Sequence, residues 1–211
     1  MSSVVYLVDD DPAVLRSLSR VLAEEGFDPR SFASGEAFLE HADSLRGGCL
    51  VLDMTMPGMS GLEVQRWMEQ AGIVIPVVFL TGHGDIPTTV RAMKAGASNF
   101  LTKPVTAAAL VEAVRGALAE GQALQGAANE LAEFARRFES LTLREREVLA
   151  GLVAGKLNKQ IAVDLGIVEQ TVKFHRARIM ERMQARTVAE LMHITARLPA
   201  SLLSSAAPRS P

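Results

Sequence analysis

The stretch that decides the fold of this chain is LVLDMTMPGMSG, residues 50–61. It begins with three apolar residues, continues with Asp53, and then turns through Pro57 and Gly58. A short apolar run bounded by Pro and Gly is typical of a buried strand in a parallel sheet. Because ligands bind at the carboxyl ends of such strands, Asp53 is predicted to lie where chemistry takes place.

Strand and helix patterns alternate on both sides of this stretch. Five strands and five helices in alternation predict an α/β domain built on a five-stranded, doubly wound parallel sheet. Strands are expected at residues 4–8, 27–32, 49–53, 75–80 and 99–102, and helices at 12–26, 35–45, 61–70, 86–95 and from Thr106 onward.

Length and composition indicate an ordinary globular protein of one or two domains. The chain has 211 residues, of which 48% are hydrophobic and 22% charged. Its single cysteine, Cys49, excludes an internal disulfide framework and suits a reducing compartment. The first apolar run is too short for a signal peptide or a membrane span, so we expect a cytoplasmic protein with no membrane partner.

Charge is distributed unevenly along the chain. Residues 1–120 contain nine Lys and Arg against fifteen Asp and Glu, whereas residues 141–211 contain eleven against six. An acidic half joined to a basic half indicates two domains with different partners. The basic half is the candidate for binding nucleic acid.

Charged and polar residues follow several of the predicted strands in the acidic half. Asp9 and Asp10, Asp53, Thr81 and Lys103 each stand at or directly after a strand end. Carboxylates that converge on one sheet edge repel one another unless a cation joins them, and Mg²⁺ prefers oxygen ligands of this kind. A carboxylate can also accept a phosphoryl group, with the cation and Lys103 neutralising the charge and the Thr81 hydroxyl donating a hydrogen bond.

The same residues also have plainer interpretations. Asp11 fits the cap of a helix, Lys103-Pro104 fits an ordinary loop, and Thr81 fits a strand end satisfied by the backbone. An enzyme with Asp53 as a turnover nucleophile is a further alternative. Phosphatases of the haloacid-dehalogenase type have a second acid two residues later, where this chain has Thr55, so we predict no enzyme and no catalytic residues.

Three motifs in this half resemble a response-regulator receiver domain of the FixJ-type branch, which implies a flavodoxin-like fold. They are DDD at 9–11, LDMTMPGMSGLEV from residue 52, and TGHGDIPTTVRAMKAGASNFLTKP at 81–104. The resemblance implies that a sensor histidine kinase phosphorylates Asp53. It also implies a site for Mg²⁺, or for Mn²⁺ as an alternative, that is formed by four residues. A set of three switch residues that sense the phosphoryl group is implied as well, and so is a cis Lys103-Pro104 bond. The metal residues are Asp9 (through water), Asp10, Asp53 and the Thr55 carbonyl, and the switch residues are Thr81, Phe100 and Lys103.

The middle of the chain is helical and rich in alanine. Apolar residues follow a heptad pattern at Leu124, Ala127, Leu131, Phe134, Phe138 and Leu141. This stripe either pairs two chains or packs against the chain's own domains. Gly116, Gly121 and Gly126 weigh against a long helix, because each costs about 1 kcal/mol relative to Ala.

The basic half contains the pattern of a helix-turn-helix. Thr142 and Glu145 form a T-x-x-E capping box ahead of an apolar run that Gly155 ends. Helices are expected at 158–165, after the turn at Gly166 over 169–183, and at 187–197. On the helix at 169–183, Val172, Ile179 and Met183 fall on one face, which predicts that they face the core.

The opposite face of that helix is the candidate DNA-binding surface. Lys173 can donate to guanine and Phe174 can contact a thymine methyl group, whereas basic residues nearby can bind phosphates. Solvated lysines and arginines, or a packed His175, are the plainer interpretations. The candidate DNA-binding residues are Lys159, Gln170, Thr171, Lys173, Phe174, His175, Arg176, Ala177 and Arg178.

Residues 138–200, which include LTLREREVLAGLVAGKLNKQIAVDLG, resemble a LuxR-type helix-turn-helix domain. Leu157 and Val168 stand where capping residues are common. Because the Val168 side chain has no acceptor, the helix at 169–183 is predicted to lack a cap worth about 1 kcal/mol. The two resemblances together indicate a response regulator of the NarL/FixJ family. They imply promoter DNA, RNA polymerase and a second copy of the chain as partners. The alternative is a constitutive DNA-binding protein whose receiver domain is vestigial.

Four segments are expected along the chain. They are a receiver domain at 1–120, a helical linker at 121–138, a DNA-binding domain at 139–198 and a disordered tail at 199–211.

Overall fold

A computed structural model describes residues 2–42, 45, 47–82 and 97–199. The chain divides into two compact units, residues 1–125 and 126–211. The helix predicted at 86–95 and the tail from residue 200 lie outside the described residues. In the part of the chain that is described, no helix is both long enough and apolar enough to cross a membrane.

The first unit is built on a parallel sheet of five strands, which confirms the predicted fold class. The strands lie in the order β2-β1-β3-β4-β5. Their bounds are Val4–Val8 (β1), Asp28–Phe32 (β2), Cys49–Asp53 (β3), Val77–Thr81 (β4) and Asn99–Thr102 (β5). All residues of the central β3 are buried, as expected for a strand that is covered on both faces.

Two hydrophobic clusters cover the two faces of this sheet. Alternate residues of β1 and β3 point to opposite sides, so Leu7 and Val51 pack in one cluster and Tyr6 and Leu52 in the other. Among the described residues of the first unit, the helices are Pro12–Glu24 (α1), Gly35–Leu39 (α2) and Gly61–Gln70 (α3), followed by the start of Ala107–Glu139 (α4). As predicted, the Asp11 side chain caps α1, accepting from the Ala13 N–H at 2.7 Å.

Several predicted element bounds in this unit are wrong. Helix α2 ends at Leu39 instead of continuing to residue 45, because the His41 N–H turns to the Phe38 carbonyl and the His41 ring bonds the Ala37 carbonyl. Strand β4 begins at Val77 rather than at residue 75 and includes Thr81, since Pro76 has no N–H to donate to the sheet. Strand β2, which lies at the edge of the sheet beside β1, begins one residue later than expected.

Helix α4 is one continuous element of 33 residues, Ala107–Glu139. The three glycines do not interrupt it. Its first turns pack on the sheet through Leu110, Val114 and other small apolar residues. Near its end, Phe134 and Phe138 are buried in the core of the second unit, where Leu141 joins them. This part of the heptad stripe therefore packs within its own chain, as the second of the two alternatives proposed.

The second unit is all helical, as predicted. After the end of α4 it contains Leu143–Val153 (α5), Asn158–Asp164 (α6), Glu169–Arg182 (α7) and Val188–Ala196 (α8). The predicted capping box begins α5: the Glu145 carboxylate accepts from the Thr142 N–H at 2.9 Å, and the Thr142 hydroxyl accepts from the Glu145 N–H at 3.3 Å. Helices α6 and α7 flank the turn at Gly166, which has a positive φ of 63°.

Candidate functional site

The acidic residues that follow β1 and β3 meet at one edge of the sheet. These strands are neighbours with Val8 opposite Leu52, so Asp9 and Asp53 emerge side by side. Both carboxylates are buried, with residue exposures of 1% and 5%. Oxygen atoms of Asp9, Asp10 and Asp53 lie within 4.8 Å of one another.

The ammonium group of Lys103 joins two of these carboxylates. Its Nζ lies 2.6 Å from Asp9 Oδ2 and 2.9 Å from Asp53 Oδ2. Lys103 reaches this position because it follows β5 and its N–H donates to the Thr81 carbonyl at 2.7 Å. Its bond to Pro104 is cis, as predicted. Two buried negative charges thus share one positive charge, which offsets part of their repulsion.

Burial and ion pairing act in opposite directions on the pKa values of this cluster. Burial raises the pKa of Asp9 above its usual value, although the hydrogen bond from Lys103 opposes that rise. Burial would lower the pKa of Lys103, but its hydrogen bonds to Asp9 and Asp53 outweigh this and raise the pKa above its usual value. Lys103 is therefore charged at physiological pH.

Two of the three predicted switch residues, Thr81 and Phe100, lie on the same face of the sheet. Phe79 of β4 is opposite Phe100 of β5, and Thr81 lies two residues beyond Phe79, so all three side chains project to one side. Thr81 is buried, whereas Phe100 is half-buried against the cluster that contains Phe79.

The loop that follows Asp53 packs closely against the sheet. The Gly61 N–H donates to the Met54 carbonyl at 3.1 Å, and a Cβ at Gly61 would lie 2.4 Å from the Asp53 carbonyl oxygen. Only glycine permits that approach. The Thr55 N–H donates to Asp53 Oδ1 at 3.3 Å and so orients the carboxylate.

The donor set at this edge suits Mg²⁺. It provides hard carboxylate oxygens from three side chains in a small volume, with the backbone carbonyl of Thr55 two residues after Asp53. Mg²⁺ prefers such oxygen ligands and is held in proteins by one or two carboxylates. Asp10 is exposed, so a metal bound there could also keep water ligands.

In the second unit, α7 presents the two faces that were predicted. Val172, Ile179 and Met183 are completely buried in the helical core. The face opposite them is open to solvent, with Phe174 56% exposed. Of the predicted DNA-binding residues, Lys159, Gln170, Lys173, Phe174, Ala177 and Arg178 are exposed, and Thr171, His175 and Arg176 are partly buried.

Side chains on the exposed face of α7 contact one another. Lys173 forms an ion pair with Glu169 at 3.1 Å, and the Arg178 guanidinium lies 5.2 Å from the centre of the Phe174 ring. An exposed i,i+4 ion pair contributes only about 0.3–0.5 kcal/mol, so Lys173 can exchange Glu169 for another acceptor. The Arg178 guanidinium thus makes a cation–π contact with the exposed Phe174 ring.

Comparison with known proteins decides the family. Residues 5–115 match the response regulator receiver domain, and residues 139–195 match the bacterial regulatory proteins of the luxR family. The chain is a response regulator. It combines a receiver domain with a LuxR-type DNA-binding domain and is a transcriptional regulator, as the sequence motifs indicated.

Relatives of this response regulator align over most of their length. It is 46% identical over 200 residues to the response regulator protein TmoT of Ectopseudomonas mendocina, covering 95% of this chain and 91% of TmoT. It is 40% identical over 190 residues to the transcriptional regulatory protein FixJ of Rhizobium meliloti, covering 90% and 93%. The low-resolution structure of the response regulator StyR superposes with a TM-score of 0.82 at 44% identity, covering 93% of this chain and all of StyR.

Two contacts of the response regulator were not predicted from its sequence. Lys103 bonds Asp9 as well as Asp53, although the motif suggested only a role beside the phosphoacceptor. Glu36 of α2 accepts a hydrogen bond from the Met59 N–H in the loop after Asp53, at 3.0 Å. A surface glutamate on a short helix carries no sequence signal of such a contact.

Proposed function

We propose that the receiver domain accepts a phosphoryl group on Asp53 from a sensor histidine kinase, and that this reaction controls DNA binding. The observation that supports this most is the ammonium group of Lys103, 2.9 Å from a buried Asp53 carboxylate at an acidic sheet edge. A structural ion pair does not need further carboxylates beside it, whereas a phosphoacceptor site does need cation ligands.

The transfer exchanges one bond to phosphorus for another. A carboxylate oxygen of Asp53 forms the new P–O bond while the P–N bond to the kinase histidine breaks. The electron pair stays on the imidazole nitrogen, which takes up a proton. Lys103 then balances the negative charge added to Asp53, and the Thr81 hydroxyl can donate to a phosphoryl oxygen.

Asp10, Asp53 and the Thr55 carbonyl would hold Mg²⁺, or Mn²⁺ in its place, with Asp9 acting through water. When bound, the metal supplies positive charge opposite the phosphoryl oxygens. Lys103 already pairs with Asp9 and Asp53, so the chain's own cation keeps the carboxylates together before phosphorylation.

Phosphorylation would bias the receiver between two states. A phosphoryl group on Asp53 adds charge and acceptor oxygens that attract Thr81, and Phe100, on the same face of the sheet, moves into the space that Thr81 leaves. The altered surface would favour a homodimer. Two DNA-binding domains could then occupy paired half-sites in a promoter and act on RNA polymerase.

The exposed face of α7 would enter the major groove. Lys173 can donate to guanine, and Phe174 offers its ring to a thymine methyl group. The remaining polar and basic side chains around that face would bind phosphates or line the groove. These residues are Lys159, Gln170, Thr171, His175, Arg176 and Arg178, with Ala177 allowing close approach.

The test measures binding to an operator fragment selected from a random DNA pool, with and without acetyl phosphate and Mg²⁺. We expect phosphorylated wild type to bind roughly five- to 150-fold more tightly and to sediment as a dimer, and Asp53→Asn to respond to neither reagent. Equal operator binding in every sample would contradict the switch and indicate a constitutive DNA-binding protein with a vestigial receiver.

A further inference from the structure

Glu36 holds the loop that follows the phosphoacceptor. Its Oε1 accepts from the backbone N–H of Met59 at 3.0 Å, across 23 residues of sequence. Gly58, the residue before, has a φ of +78°, and a Cβ there would lie 2.7 Å from the same oxygen. The carboxylate is therefore seated directly on the turn at Pro57 and Gly58.

Other contacts hold the two ends of this loop. At its start, the Met54 N–H donates to the Leu80 carbonyl of β4 at 2.8 Å. At its end, the Ser60 N–H donates to the Glu63 carboxylate of α3 at 2.9 Å. Glu36 reaches the stretch between them from a different helix, so it can set the course of the chain from Thr55 to Met59.

We propose that Glu36 is a positioning residue for the metal site, acting through Met59 on the direction of the Thr55 carbonyl. The inference rests on the proposed function, in which that carbonyl is a metal ligand. Only three residues separate Thr55 from Met59, and the ring of Pro57 fixes the φ of one of them, so a shift of Met59 is passed to Thr55 over a short connection. Mg²⁺ demands a near-octahedral ligand arrangement, and a carbonyl turned away from it weakens binding.

The hydrogen bond, rather than the charge of Glu36, carries this effect. Glu36 is exposed to solvent, where salt and water screen its charge from the acidic edge. Hydrogen bonds from its own backbone N–H, the Ser34 hydroxyl and the Met59 N–H lower the pKa of its carboxyl group. A neutral amide in the same place could still accept from Met59, and this distinction makes the role testable.

The experiment titrates Mg²⁺ into the unphosphorylated full chain by calorimetry, using wild type, Glu36→Ala, Glu36→Gln and Glu40→Ala. Glu40→Ala is the matched control, because Glu40 is another exposed glutamate directly after α2. Partners of metal ligands commonly change affinity by 10- to 100-fold, and Glu36 acts one step further away. We therefore expect Glu36→Ala to weaken Mg²⁺ binding roughly three- to tenfold, and Glu36→Gln and Glu40→Ala to stay within about twofold of wild type.

A second measurement separates positioning from general damage to the fold. With acetyl phosphate as the donor, Glu36→Ala should need a higher Mg²⁺ concentration for half-maximal phosphorylation but reach the wild-type rate at saturation. Urea unfolding in EDTA, followed by the fluorescence of Trp67, checks that the variants are folded. Should Glu36→Ala unfold, Glu36→Asp replaces it, since its carboxylate is one methylene too short to keep the bond.

Two results would overturn the inference while leaving the proposed function in place. One is wild-type Mg²⁺ affinity in Glu36→Ala, and the other is an equal loss in Glu36→Gln, which would assign the effect to charge. Failure of wild type itself to bind Mg²⁺ would overturn the proposed function and, with it, this role of Glu36.

Discussion

At the scale of single residues, the acidic edge shows how burial and pairing compete. Asp9 is 1% exposed, yet it lies beside another buried carboxylate, Asp53. Lys103 bonds both, but burial still leaves the pKa of Asp9 raised. The ionised form of Asp9 is therefore costly in the folded chain, and a bound cation would reduce that cost. Perturbed pKa values of this kind are common at functional sites.

This cost predicts how stability depends on pH in the absence of metal. A carboxyl group whose pKa is higher in the folded chain than in the unfolded chain contributes stability that is fully present below the unfolded pKa. That contribution is lost as the pH rises through the folded pKa. We therefore expect the free energy of unfolding of Asp9→Asn, relative to wild type, to increase as the pH rises above the usual aspartate pKa of about 4.

Urea unfolding in EDTA at several pH values measures this difference. Asp11→Asn is the control, because Asp11 is exposed and asparagine caps a helix as well as aspartate does. Its difference from wild type should vary less with pH than that of Asp9→Asn, because Asp11 is not buried. A constant difference between Asp9→Asn and wild type would show that burial of Asp9 does not govern stability here.

At the scale of elements, α4 shows why a glycine can remain inside a long helix. A Cβ at Gly121 would lie 3.1 Å from Cγ and Cδ of Pro76, the residue before β4. At Gly116, by contrast, a Cβ would meet no atom within 4 Å. The same residue type therefore permits close packing at one position and only weakens the helix at the other.

Alanine substitutions distinguish the two positions. Gly116→Ala should stabilise the receiver by about 0.5–1 kcal/mol, because alanine loses less backbone entropy and crowds nothing. Gly121→Ala should gain less than that or lose stability, since Pro76 must move. Urea unfolding followed by Trp67 fluorescence measures both, and an equal gain from the two substitutions would contradict the packing role of Gly121.

At the scale of the whole molecule, the two domains carry net charges of opposite sign. The first 120 residues carry a net charge of −6 and residues 141–211 a net charge of +5, counting Lys, Arg, Asp and Glu. The acidic domain collects cation ligands at one sheet edge, and the basic domain presents an exposed helix face. In DNA binding, such positive charge supplies affinity that depends on salt, whereas base contacts supply specificity.

Two lysines of the DNA-binding domain should separate these contributions. Lys173→Ala is expected to reduce discrimination between the selected operator and unrelated DNA by about 1–3 kcal/mol. Lys159→Ala should weaken binding to all sequences alike and lower the salt slope by about 1. Binding titrations at several salt concentrations measure both effects, and unchanged discrimination in Lys173→Ala would show that a different face of α7 reads the bases.

Much of the fold and of the candidate site could be predicted because the signals are local. Strand and helix periods, the cap at Asp11 and the capping box at Thr142 each lie within a few residues. Asp9 and Asp53 stand at the carboxyl ends of parallel strands, and such ends lie at the same edge of a sheet. Their proximity therefore follows from the strand pattern alone. The buried face of α7, including Val172 and Ile179, follows from helical spacing alone.

The sequence by itself thus determined the class of fold, the strand ends at which the acidic residues meet and the exposed face of α7. Only the tertiary structure decided that Lys103 bonds Asp9, 94 residues away, that Glu36 holds Met59, and that the end of the heptad stripe packs within its own chain. The physical reason is range: periodicity and capping act within one or two turns of chain. Contacts between distant residues depend instead on how complete elements pack, and short windows of sequence do not contain that packing.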